Sequence, residues 1–204
     1  MFHSSMISSS LFKYILSLIA ILMTLYAFFP YIGKIRKGEV KPHIFSWIIW
    51  GITTFLVFFA QIVSQGGPGA WPIGVSGSIT IYVALLAYRK HSDHSISLMD
   101  WFFLIGALAA IPIWFFTSDP LWAVVCLTTI DVLGFGPTIR RSYEFPYEEN
   151  IGFFALFTVR NFVSILALDK LSLTTVLFPA TIIFFCLLLI ALIASRRLIV
   201  SQNK

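Results

Sequence analysis

The chain is poor in charged residues, because Asp, Glu, Lys and Arg together make up only 11% of its 204 residues. Soluble domains carry about 25%, and so small a charged fraction cannot cover a surface that faces water. A disordered chain is excluded as well, since disorder requires low hydrophobicity and high net charge. With 58% hydrophobic residues and a mean hydropathy of +0.90, the composition indicates an integral membrane protein.

Residues that bind metals or form disulfides are also scarce. The two cysteines, Cys126 and Cys186, both lie within apolar runs, where they pack as small apolar groups and are not placed for a disulfide. The four histidines lack the partners of a metal site, so we expect no metal and no cofactor. The motifs of common enzyme classes are missing too. A small membrane enzyme is therefore less favoured than the transporter and scaffold interpretations given below.

Long apolar runs are abundant. A helix that crosses a bilayer needs about 20 mostly apolar residues, and seven runs of about that length follow one another with short connections. They cover residues 14–33, 43–65, 71–88, 98–116, 121–138, 150–168 and 173–195. The sequence therefore predicts an all-α integral membrane protein with seven transmembrane helices.

The basic residues predict the orientation of these helices. Eleven of the fourteen fall in alternate loops and in the C-terminal tail, whereas Lys13 and Lys170 fall on the other side. Cytoplasmic loops are rich in Lys and Arg, so we expect an inner (plasma) membrane protein with its N-terminus outside and its C-terminus in the cytoplasm. The eleven are Lys34, Arg36, Lys37, Lys41, Arg89, Lys90, Arg140, Arg141, Arg196, Arg197 and Lys204.

An internal repeat appears when the chain is shifted by 107 residues without a gap. The matches that are rare by chance are Pro30 with Pro137, Pro72 with Pro179, and Arg89 with Arg196. We therefore predict a 3+1+3 plan: a three-helix repeat in 1–97, a linker helix in 98–118 and a second three-helix repeat in 119–204. The linker helix returns the chain across the membrane, so both repeats have the same orientation, as in transporters built from parallel repeats.

Two segments carry a family resemblance, YAFFPYIGKIRKGEVKPHIFSWIIWG at 26–51 and DVLGFGPTIRRSYEFPYEEN at 131–150. Together with the repeat, they resemble the SWEET and PQ-loop superfamily, which includes PnuC-type vitamin transporters, and they are most similar to a bacterial branch of it. The Pro-Gln pair of the PQ-loop group is replaced here by Pro-Tyr and Pro-Thr. The resemblance implies two three-helix bundles with a solute site between them.

Charged residues within spans are costly and mark functional positions. Asp131 and Arg160 are predicted at similar depths, and the tilt of side chains towards their helix N-termini brings them together. We expect a buried ion pair, with the charged ends in direct contact or bridged by water, which either joins two helices or forms a solute or proton site. Uncharged polar residues are expected around the pair, with Trp50 as an apolar wall. The predicted solute-binding residues are Asp131, Arg160, Asn161, Thr53, Thr54, Trp50 and Ser78.

The functional expectation is transport of a small polar solute between the repeats, without a catalytic step. Proline interrupts helix hydrogen bonding, so Pro30, Pro137 and Pro179 are predicted hinges. The leading rival is a membrane scaffold or partner subunit that transports nothing, in which the polar residues only join helices. The expected partners are the lipid bilayer and the solute. Nucleic acid is not expected, and a homo-oligomer is allowed.

Overall fold

The computed structural model describes residues 2–39, 44–90, 98–147 and 150–202, without the side chains of 2–9, 100, 137, 140, 141, 201 and 202. This part of the chain is all helical, which confirms the all-α fold class, and each predicted apolar run coincides with one α-helix. A short 3-10 helix, Gly67–Ala70, precedes α3. The α-helices are α1 (Phe2–Lys37), α2 (Ile44–Val63), α3 (Trp71–Arg89), α4 (Leu98–Thr117), α5 (Pro120–Glu144), α6 (Ile151–Leu166) and α7 (Leu173–Gln202).

Local sequence determines where several helices begin and end. Gly38, at φ +76°, ends α1 in a left-handed conformation that lacks a steric penalty for glycine. Its N–H bonds to the carbonyl of Ile35, and the next N–H bonds to that of Lys34, which is a Schellman motif. At the start of α6, the Asn150 side chain accepts the N–H of Gly152 at 2.9 Å. This N-cap supplies a partner for a backbone donor that the helix cannot satisfy internally.

The helices pack in two sets of three with α4 outside them. In the first set, α3 packs against both α1 and α2; in the second, α7 packs against both α5 and α6. The two sets meet along two seams, one between α1 and α6 and the other between α2 and α5. The main contacts within and between the two sets are therefore unchanged when α1, α2 and α3 are exchanged with α5, α6 and α7.

The linker helix α4 packs against α5 and α2. Small residues make the close approach possible, because Ala107 and Ala110 are fully buried in a cluster that includes Leu127 of α5. Gly106 faces Ile130, where an added Cβ would lie 3.2 Å from the isoleucine side chain. The largest core cluster thus lies where α4 covers the α2–α5 seam.

One end of the bundle carries most of the basic residues and is called the basic end below. Arg36 at the end of α1 donates to the Tyr82 hydroxyl near the end of α3 at 2.7 Å, so these helices run parallel. Arg196 near the end of α7 donates to the backbone carbonyl of Tyr143 at the end of α5, at 3.1 Å. The side chains of Arg140 and Arg141 and the residues Lys41 and Lys204 lie outside the described part. The described basic residues at this end are Lys34, Arg36, Lys37, Arg89, Lys90, Arg196 and Arg197.

The opposite end is joined by polar contacts between the two sets of helices. Lys13 of α1 forms an ion pair with Asp169 at 3.0 Å, and the Asp169 N–H donates to the carbonyl of Gly66 at 3.0 Å. The Ser17 hydroxyl donates to the carbonyl of Pro68 at 2.6 Å. The segments that follow α2 and α6 are therefore fastened to each other and to the first half of α1.

Large apolar side chains are exposed on all seven α-helices, and Phe29 and Phe116 are 80% and 82% exposed. Within the described residues, four helical segments are long and apolar enough to cross a membrane, namely Ser10–Lys37, Ile44–Val63, Gly67–Arg89 and Leu173–Val200. Shorter apolar stretches occur in α4, α5 and α6. So much exposed apolar surface is unusual for a soluble monomer and typical of a surface that contacts lipid or a partner.

Candidate functional site

A cavity of about 280 Å³ lies between the two sets of helices. Its wall comes from α1, α2, α3, α5, α6 and α7, and none of the described lining residues belongs to α4. At 1.5 Å per residue, Trp47 lies about 5 Å from the start of α2 and Asn161 about 15 Å from the start of α6, so between these residues the cavity extends over roughly 10 Å in depth. The lining residues are Thr54, Ser76, Thr80, Asp131, Thr138, Arg160 and Asn161, then Phe28, Trp47, Trp50, Phe135, Phe153, Phe154, Phe157 and Phe178, with Gly134, Ile182 and Cys186.

Arg160 of α6 points towards the first set of helices. Its Nε–H donates to the Thr24 hydroxyl of α1 at 3.0 Å, its Nη1 donates to the Asn161 side chain at 2.9 Å, and its Nη2 donates to the carbonyl of Pro72 in α3. A guanidinium carries five N–H groups, so two remain. Arg160 is 4% exposed and lines the cavity. The deeper part of the cavity wall therefore has a fixed positive charge.

Asp131 of α5 points to the first set across the other seam. Its Oδ1 accepts the Thr53 hydroxyl of α2 at 3.2 Å, while that hydroxyl also lies 3.1 Å from the carbonyl of Trp50. Within the described residues Oδ2 has no hydrogen-bond partner, and Asp131 is only partly buried at the cavity wall. A carboxylate oxygen is thus available to the cavity.

The predicted Asp131–Arg160 ion pair is wrong as a direct contact. Every nitrogen of Arg160 bonds to another group, and Asp131 bonds to Thr53. The reason is the packing order: α7 packs against both α5 and α6, so the two side chains face the first set of helices across separate seams. The two charges lie on the wall of the same cavity without neutralising each other directly.

The two polar contacts are related by the offset found in the sequence. A shift of 107 residues carries Thr24 onto Asp131 and Thr53 onto Arg160, so the bond from Arg160 to Thr24 and the bond from Thr53 to Asp131 occupy matching positions. The same shift relates four further pairs of lining residues. These are Phe28 and Phe135, Trp47 and Phe154, Trp50 and Phe157, and Thr54 and Asn161.

The other predicted solute-binding residues have mixed placements. Trp50, Thr54 and Asn161 line the cavity together with the two charged residues. Thr53 is fully buried and lies behind Asp131, which it contacts. Ser78 was placed in the site by prediction, but it is exposed and its hydroxyl bonds to the carbonyl four residues earlier in its own helix. It is not among the residues that line the cavity.

The predicted hinge prolines lie inside long helices. Pro30 is exposed within α1, and Pro179 is buried within α7. The backbone of Pro137 lies within α5, and its side chain lies outside the described part. Helices α1 and α7 continue through their prolines. The hinge role of all three stays a prediction.

Sequence reasoning missed most of the cavity wall. Eight of the eighteen lining residues are Phe or Trp, and among these only Trp50 was predicted. Thr24, which accepts the Arg160 Nε–H, was also missed as a contact. The offset supplied a signal for both, since it pairs Phe28 with Phe135 and Thr24 with Asp131.

The end of the bundle away from the basic end is closed above the cavity. The Gln61 side chain donates to the backbone carbonyl of Thr175 at 2.6 Å, which joins the end of α2 to the start of α7. The shift of 107 residues relates Gln61 to Leu168. There Gly69 packs so closely that an added Cβ would lie 2.6 Å from the Leu168 nitrogen. The backbones of the two sets therefore touch there, whereas the cavity lies towards the basic end.

No family model, no curated protein and no solved structure matches this chain.

Proposed function

We propose that this chain is a seven-span inner-membrane transporter, and that the cavity between its two three-helix sets holds a small polar solute. The observation that carries the proposal is the pair of matching contacts, from Arg160 to Thr24 and from Thr53 to Asp131. A repeat seen only in sequence predicts similar helices. Matching polar contacts across two seams, around one cavity, are what two parallel repeats related by a twofold axis would produce.

The membrane assignment has support from the surface and from the ends. Exposed apolar side chains cover all seven α-helices, as lipid contact requires. Helix α6 has only 16 residues, but it begins beside the basic end and ends beside Asp169 at the opposite end, so it connects the two ends of the bundle. The clustering of Arg and Lys at one end supports a cytoplasmic basic end, with the N-terminus outside.

The contacts at the outer end, together with the position of the cavity, support alternating access to it. The Lys13–Asp169 pair and the contact between Gly69 and Leu168 close the outer side, and the cavity extends towards the cytoplasmic side. This arrangement corresponds to the state of a transporter that is closed to the outside. Transport would require the two sets to part at the outer end and to close over the aromatic residues at the inner end.

The scaffold interpretation has one observation in its favour. Arg160 bonds to three neighbouring groups on α1, α3 and α6, which is what a residue that only joins helices would do. It leaves unexplained why Asp131 lines a cavity with a carboxylate oxygen that has no partner among the described residues. Leaving a charge in an apolar bundle is expensive, and a solute that binds it is the simpler reason for its presence.

Filling the cavity separates the two interpretations. Gly134 lines the cavity, and a Cβ added there would meet only the Trp50 Nε1, at 3.5 Å, which is ordinary contact. Gly134→Leu therefore places a side chain in the cavity without a backbone clash. Gly136, two residues further along α5, is exposed, and no heavy atom of the described residues lies within 4 Å of an added Cβ. Gly136→Leu is the matched control.

The measurement compares the metabolites of cells that produce the wild type, Gly134→Leu or Gly136→Leu, by untargeted mass spectrometry of cells and medium. We expect a solute whose distribution across the membrane changes with the wild type and with Gly136→Leu but not with Gly134→Leu. Both variants should be produced and folded, because leucine has a higher helix propensity than glycine, which lies about 0.8–1 kcal/mol below alanine. A folded Gly134→Leu variant with wild-type solute distribution contradicts the proposal.

A further inference from the structure

The cavity contains one negative and one positive group that do not pair with each other. Asp131 of α5 lines the cavity with one carboxylate oxygen that has no hydrogen-bond partner among the described residues, and Arg160 of α6 lines it with two N–H groups that have none there either. In a protein interior, uncompensated charges are unfavourable unless a partner satisfies them. One solute that carries both charges would satisfy both groups at once.

The remaining wall has a different chemistry. Rings of Phe28, Trp50, Phe135 and Phe157 occupy four offset-related positions. Aromatic faces accept apolar groups and also attract ammonium groups. A hydrophilic solute with many hydroxyl groups would leave most of them without partners against this wall. The wall therefore favours a solute with an apolar body and charges confined to one end.

The size of the cavity restricts the solute further. Ligand pockets for drug-sized molecules occupy about 300–1,000 Å³, and this one, at about 280 Å³, lies just below that range. Resting on the proposed transport function, we propose that the solute is a small zwitterion with an apolar body, such as an apolar α-amino acid. Its ammonium group contacts Asp131, its carboxylate contacts Arg160, and its body packs against the aromatic wall.

The test uses three probes with the same phenyl ring: L-phenylalanine, phenethylamine, which lacks the carboxylate, and 3-phenylpropionate, which lacks the ammonium group. Their dissociation constants are measured by isothermal titration against the purified full chain in lipid nanodiscs. A hydrogen bond to a charged group changes affinity by roughly 10-fold or more. We therefore expect L-phenylalanine to bind at least about 10-fold more tightly than either singly charged analogue.

One variant identifies the group that recognises the ammonium. Asp131→Asn keeps an acceptor for Thr53 but removes the negative charge, so it should weaken L-phenylalanine and phenethylamine by roughly 10-fold and leave 3-phenylpropionate unchanged. Thr129→Ala is the control on the same helix. That residue is exposed, and its hydroxyl bonds to the carbonyl of Val125 at 2.8 Å. This control should change none of the three affinities.

Several results would overturn the inference. An analogue with one charge that binds as tightly as L-phenylalanine would show that two charges are not required. A folded Asp131→Asn variant with unchanged affinity for L-phenylalanine would remove Asp131 from the site. Failure of all three probes to bind would also reject the zwitterion. In each case transport itself stands if Gly134→Leu still abolishes the redistribution of a solute, and it fails if that variant behaves as wild type.

Discussion

Replacing Thr24 or Thr53 with valine tests how the two charged residues are held. Valine has nearly the shape of threonine, so each change removes a hydroxyl without creating a large void. The Thr24 hydroxyl donates to the carbonyl of Ala20 at 2.8 Å and accepts the Nε–H of the buried Arg160 at 3.0 Å. Thr24→Val leaves a buried cationic N–H without an acceptor, which costs about 1–3 kcal/mol or more.

Thr53→Val should cost less, although its contact is the counterpart of the first. The Thr53 hydroxyl has one hydrogen for two acceptors, the carbonyl of Trp50 and Asp131, at 3.1 and 3.2 Å. Asp131 lies at the cavity wall and is only partly buried, so water in the cavity can replace the lost hydroxyl. We expect a loss near the average of about 0.6 kcal/mol for interhelical hydrogen bonds in membranes, with a maximum of about 1.7.

The free energy of unfolding, measured by steric trapping in bicelles, should therefore fall more for Thr24→Val than for Thr53→Val. Thr129→Val is the control, because its hydroxyl is exposed and bonds only within its own helix, and it should change stability by less than about 0.5 kcal/mol. Equal losses for Thr24→Val and Thr53→Val, or a larger loss for Thr53→Val, would refute the argument that Arg160 depends on Thr24 as an acceptor.

Two further predictions concern packing and orientation. Gly69→Ala should destabilise the protein by about 1–3 kcal/mol or more, because its Cβ would lie 2.6 Å from the backbone of Leu168 and Ser164. At Gly33, no heavy atom of the described residues lies within 4 Å of an added Cβ, so Gly33→Ala should be neutral or stabilise by up to about 1 kcal/mol in the same unfolding measurement. A reporter active only in the cytoplasm, fused after Lys204, should be active, and a periplasmic reporter at that position should be silent. Periplasmic activity there would reverse the proposed orientation.

Apolar runs predicted where helices lie better than where they end. The first run was expected over 14–33, but α1 extends over Phe2–Lys37. Lys34, Arg36 and Lys37 continue the helix, because basic residues in a last turn interact favourably with the helix dipole. Hydropathy marks the apolar part of a helix, whereas capping marks its end. Gly38 marks the end of α1, because glycine commonly follows the last helical residue.

The candidate site shows the limit of arguments about depth. Helix direction and side-chain tilt placed Asp131 and Arg160 at similar depths, and both line one cavity. Depth alone does not say which neighbour a residue faces, and that depends on the packing order of the helices. The offset contained the missing information, since it related Thr24 to Asp131 and Thr53 to Arg160. Reading it as a map of contacts as well as of helices would have predicted both bonds.

The position of α4 makes the two seams mechanically unequal. It contacts α2 from one set and α5 from the other, so parting the α2–α5 seam must also break contacts with α4. The α1–α6 seam has no equivalent linker among the described helices. The two sets are therefore joined more firmly along the α2–α5 seam, which α4 covers, than along the α1–α6 seam. Arg160, which bonds to α1 and α3 from α6, holds the α1–α6 seam together, whereas Asp131 lies at the α2–α5 seam that α4 covers.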